Sequence, residues 1–149
     1  MKKFKFRLKK VLEHKERLYD LARTRHAEAV QELRKEEMIL ESLRREYKTC
    51  LFELAEKTKK IFRVRDLGPY YRYMSFIKKE IVRQSKVVSQ ALRKEEALRK
   101  ELMQASKEKE ILNKLKEKKY NEYLYALRKE EQNFLDDITA SKYARGLKN

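Results

Sequence analysis

Apolar side chains recur through the first half of the chain at alternating spacings of three and four. One column runs Leu12, Tyr19, His26, Leu33, Leu40, Tyr47, Leu54, Ile61; the other runs Leu8, Lys15, Ala22, Ala29, Glu36, Leu43, Cys50, Lys57, Val64. That spacing winds a stripe along one face of an α-helix and predicts a coiled-coil partner for it. Lys15, His26, Glu36 and Lys57 interrupt the stripe; such polar layers weaken a coil but fix its register. The second half carries Ile77, Gln84, Ala91, Leu98, Ala105, Leu112 beside Ile81, Val88, Glu95, Leu102, Lys109. Near Leu112 the phase slips by about one residue, which alters the supercoil locally without ending the helix. The stripe then continues through Tyr120, Leu124, Leu127, Phe134 and Ile138.

Between the halves stands Asp66-Leu67-Gly68-Pro69, which holds the only Pro and one of the two Gly. Gly permits backbone angles a helix does not use, and Pro removes a donor and blocks the helix behind it. The expectation is an all-α fold of two long helices forming an antiparallel coiled-coil hairpin. A helix over about 4–64, a turn at 66–69 and a helix over about 70–143 make a single domain of residues 1–149, an arm of about 60 residues being roughly 90 Å long at about 1.5 Å per residue. Pairing outward from that turn sets Leu8 near Leu127, Leu12 near Tyr123 and Tyr47 near Val88. The basic first residues then lie beside Glu130, Glu131, Asp136 and Asp137. Leu-Arg-Lys-Glu-Glu recurs at Leu33, Leu92 and Leu127 without a constant period, so it is a seam leucine followed by wet-face charges rather than a solenoid repeat.

Composition supports helix over disorder: 43% of residues are charged, yet 41% are hydrophobic and regularly spaced. No apolar run approaches the roughly 20 residues that span a bilayer, and the basic start is followed by no apolar signal region. A lone Cys50 makes no internal staple and fits a reducing cytosol. The net charge of +16 points to acidic partners, anionic lipid or nucleic acid.

Enzyme signatures are missing, and a rod two helices thick has no interior to shield a reaction. Two Gly do not build a phosphate loop. His14 and His26 lie 12 positions apart with Cys50 remote from both, so no metal site and no cofactor is expected. His26 reads as a polar layer and Cys50 as a small seam residue. Basic clusters occur at Lys2, Lys3, Lys5, Arg7, Lys9, Lys10 and at Lys57, Lys59, Lys60, Arg63, Arg65. No zinc knuckle, basic zipper or aromatic RNA-binding signature accompanies them, so an acidic protein or a membrane surface is favoured and nucleic acid is not expected. Tyr70, Tyr71, Tyr73, Met74, Phe76 and Ile77 form a dense group; it reads as a plug for the turn, a partner anchor, or both.

Three stretches in this order resemble the FliJ family of the bacterial flagellar type III export apparatus. They are Phe4-Lys5-Phe6-Arg7-Leu8-Lys9-Lys10-Val11-Leu12, then Phe76-Ile77 with Arg72 and Tyr73 before it and Glu46-Tyr47 in the first helix, then Glu131-Gln132-Asn133-Phe134-Leu135-Asp136-Asp137. Asn133, Asp137 and Glu80 depart from the family's usual Lys, Glu and apolar residue. The resemblance implies a non-enzymatic stalk, similar to the central subunit of rotary ATPases. Its implied partners are the hexameric flagellar export ATPase, the cytoplasmic domain of the export-gate membrane protein, and flagellar export chaperones. It implies a cytoplasmic location, peripheral at the inner membrane at the flagellar base. Carried onto this chain, Leu40, Leu43, Tyr47, Phe76 and Ile77 are the implied gate contacts, and Leu12, Leu127, Gln132 and Leu135 the implied ATPase contacts. The alternatives are the central stalk of another rotary ATPase and a basic nucleic-acid-binding coiled coil.

Overall fold

The computed structural model describes residues 2–60 and 64–148. The fold is all-α, built from α1 (Lys9–Thr58) and α2 (Val64–Lys148), with no strand among the described residues. The chain forms two compact units: Asp20–Met103, and Met1–Tyr19 together with Gln104–Asn149. In each unit a stretch of α1 packs antiparallel on a stretch of α2. In the first, Glu46 pairs with Tyr73, Glu36 with Gln84 and His26 with Glu95, so one number rises as the other falls. In the second, Lys15 meets Glu108 and Phe4 meets Tyr120.

The expected turn is displaced. Asp66 to Pro69 lie inside α2, whose first turn holds Asp66 and whose interior holds Pro69. Pro69 sits close enough to the helix start that its missing donor removes at most one backbone bond. Gly68 before it has no Cβ to meet the proline ring, which relieves the usual restriction on a pre-proline residue. Gly68 does not use a positive φ, so its role is space rather than backbone freedom. The expected first helix ends early, at Thr58; Lys57 occupies its last turn and Asp66 the first turn of α2, both favourable to the helix dipoles. Ile61 and Arg63 lie outside the described residues.

Displacing the turn by about one heptad displaces the pairing by about two, and both stripes still face each other. Tyr47 therefore packs on the cluster of Cys50, Leu54 and Met74 instead of nearing Val88. Leu8 borders the same cavity as Leu115 rather than reaching Leu127. Phe4, not Leu12, meets Tyr123, at 5.6 Å between ring centroids.

The column residues of both helices as far as Leu112 are buried or half-buried wherever they are described. Their polar members are matched across the seam. Gln84, 5% exposed, donates to the backbone carbonyl of Glu36 at 3.1 Å and to its carboxylate. His26 Nε2 donates to Glu95 Oε1 at 2.9 Å, and Lys15 Nζ to Glu108 Oε2 at 2.9 Å. Lys57 and Lys109 stand 4.2 Å above the rings of Tyr70 and Tyr19. A buried charge or amide without a partner costs more than an apolar one. The polar layers thus select one register among several that the apolar columns allow.

Candidate interaction surfaces

Two surfaces stand out, one in each unit. In the first unit, Ser42, Glu46, Thr49 and Glu53 recur at spacings of three and four on α1, one flank away from the seam. With Pro69, Tyr70 and Tyr73 they line an open groove of about 500 Å³. Tyr73 donates to the Glu46 carboxylate at 3.4 Å, and the negative charge of Glu46 holds its phenol above the ordinary value. Phe76, three residues on, lies on the same flank and is 58% exposed.

The five implied gate residues do not form one patch. Ile77 is 2% exposed and Leu40 is buried, so both hold the helices together. Leu43 is half-buried. Tyr47 packs on the core and lies beneath the Lys78 ammonium at 5.5 Å. Phe76 and Lys78 fall on opposite flanks of Ile77, about 100° to either side. Phe76 is therefore the free member, and Tyr73 joins it. Tyr70, Met74 and Ile77 close the seam, whereas Tyr71, Tyr73 and Phe76 face outward, so the aromatic group is plug and exposed surface at once.

The second surface is the C-terminal part of α2. Every residue over 128–146 is exposed. In the observed register Phe4 packs on Tyr120 and Tyr123, ahead of this stretch. Glu130, Glu131, Asp136 and Asp137, the expected neighbours of the basic first residues, are exposed on this stretch. Phe134 and Ile138 extend the line of Leu127 but pack against no second helix; Phe134 is 65% exposed. Leu135 is exposed on the adjoining face, and Gln132 donates to Asp136 at 3.0 Å along the helix. Of the implied ATPase residues, Leu127, Gln132 and Leu135 border this surface, whereas Leu12 is 4% exposed in the seam.

No group of His, Cys, Asp and Glu able to hold a metal occurs among the described residues. No described helix is long and apolar enough to cross a membrane.

The arrangement is one of paired antiparallel helices that present aromatic and apolar residues outward. The family model for the flagellar FliJ protein matches residues 4–148, and the chain belongs to that family. It is a component of the flagellar type III export apparatus, in a family of structural export components rather than enzymes. No curated protein and no solved structure matches the chain.

Proposed function

We propose that this chain is the central stalk of the export apparatus: it binds and activates the hexameric export ATPase and couples it to the export gate and to export chaperones. The observation that carries this reading is the exposed helix face over 131–146, on which Phe134, Leu135 and Ile138 stand open. An apolar stripe left open on a helix is a docking element. It suits a ring's central opening because one helix is about 10–12 Å across. Leu127, Gln132 and Leu135 are the contacts proposed there, and Leu12 supports them from within the seam. The gate contact falls to Phe76 and Tyr73 on the groove flank, with Leu40 and Ile77 setting their position. Acting between ATPase and gate, the chain works in the cytoplasm, peripheral at the inner membrane.

The test is ATP hydrolysis by the purified export ATPase with the full chain and with a chain ending at Leu127. The full chain stimulates hydrolysis, and the shortened one does not while keeping its packed helices by circular dichroism. Full stimulation by the shortened chain contradicts the assignment.

A further inference from the structure

Two basic clusters far apart in sequence meet in the unit of Met1–Tyr19 and Gln104–Asn149. Residues 2–10 carry Lys2, Lys3, Lys5, Arg7, Lys9 and Lys10 and no acid; residues 114–119 carry Lys114, Lys116, Lys118 and Lys119 against Glu117. The chain before α1 lies along α2, with Phe4 edge-on to Tyr120 at 5.2 Å and a cavity between Phe4–Leu8 and Leu115 with Lys119. The α2 lysines bracket Leu115, the residue that faces this segment. Lys114 and Lys119 pair along the helix with Glu110 and Glu122, yet their side chains remain 74% and 55% exposed.

We propose that this composite patch binds the surface of an anionic phospholipid bilayer. Nine of its ten cations are lysines, hydrated point charges that attract a diffuse negative surface without directional contacts. Base readout or bidentate phosphate clamping calls for the arginine fork, and Arg7 is the lone arginine here. Phe4 and Phe6 alternate with Lys5 and Arg7 in a non-helical segment and stay half-exposed beside Tyr120, the amphipathic arrangement that settles at headgroup level. Stacking platforms for single strands need open ring faces, whereas Phe4 is packed against two tyrosines. The patch supplies a contact for the membrane location proposed above and rests on that reading only for its setting.

The experiment is flotation of the full chain with phosphatidylcholine vesicles, with or without about a third phosphatidylglycerol, at about 0.15 M salt. No ATPase is present, so this proposal and the ATPase reading fail separately. The chain floats with the anionic vesicles and not with the neutral ones. The Lys114→Gln/Lys116→Gln/Lys118→Gln/Lys119→Gln variant binds about 600-fold more weakly, since each lysine near the surface contributes about fivefold. Lys2→Gln/Lys3→Gln/Lys5→Gln, which touches no helix, also weakens binding. No flotation, undiminished binding by both variants, or capture of a single-stranded oligonucleotide in place of vesicles overturns the proposal.

Discussion

The layer of Glu36 and Gln84 offers the sharpest test of what holds the helices in register. Gln84 is 5% exposed and donates to both the backbone and the side chain of Glu36. Glu36→Leu removes the carboxylate acceptor but leaves the backbone carbonyl, so the buried amide keeps one partner. The cost is toward the low end of the range for an unsatisfied buried group, about 1 kcal/mol. Gln84→Leu instead leaves a half-buried carboxylate without its donor, which costs about 1–3 kcal/mol. Changing both to Leu closes the seam with apolar atoms and is neutral or stabilising, as replacement of a whole buried polar pair often is. Urea titration of the four proteins by circular dichroism measures the cycle. With a neutral double variant the expected coupling is about 2–4 kcal/mol, well beyond the roughly 0.3–0.5 kcal/mol of independent sites. The double variant also loses its unique register, seen as a broadened distance distribution between spin labels on α1 and α2. Strictly additive single changes, or a double variant that keeps one register, would refute the reasoning.

Ile77→Ala, at the most buried large side chain, lowers stability by about 2–5 kcal/mol, while Phe76→Ala leaves the melt unchanged and weakens gate binding in a pull-down. Pro69→Ala stabilises because it restores one helical bond, by about 0.5–1.5 kcal/mol. Gly68→Ala meets only the Arg72 guanidinium at 4.0 Å and stabilises by about 0.5–1 kcal/mol once Pro69 has gone; losses on thermal melting from both changes would instead return these residues to a turn. Hydrogen bonds from Lys15, then Gln104, hold the Glu108 carboxyl below its ordinary value of 4.5. A lowered pKa gives stability that is present above that value and lost as pH falls through the depressed one, so Glu108→Gln flattens the acid limb of the stability profile.

Much of this molecule is legible in its residues. The heptad columns identified the buried face of both helices as far as Leu112, because burial in a coil follows spacing and little else. Gly68 and Pro69 have the composition of a break, yet they lie inside α2, because a proline near a helix start costs little behind a residue lacking Cβ. The displacement carries into the pairing, since apolar columns repeat every heptad and accept a shift of two heptads without complaint. The deciding signal was present in the polar members of those columns. In the expected register Glu95 faces Leu40; in the observed one it faces His26, and Gln84 faces Glu36. Matching those layers to one another rules out a turn at 66–69. The implied contact residues mixed seam with surface for a related reason. A shared motif marks Phe76 and Ile77 together, and only the packing shows that one is a core side chain and the other is free.

The most direct test of the register is a spin-label distance between positions 32 and 94, whose native side chains meet at 3.4 Å across the helices. Both are exposed, so labels replace an ion pair of little energetic weight. A narrow distribution at the shortest range is expected. A distribution centred beyond that range, as a slide of one helix past the other by two heptads produces (about 21 Å at about 1.5 Å per residue), would contradict the account and return the turn to Pro69.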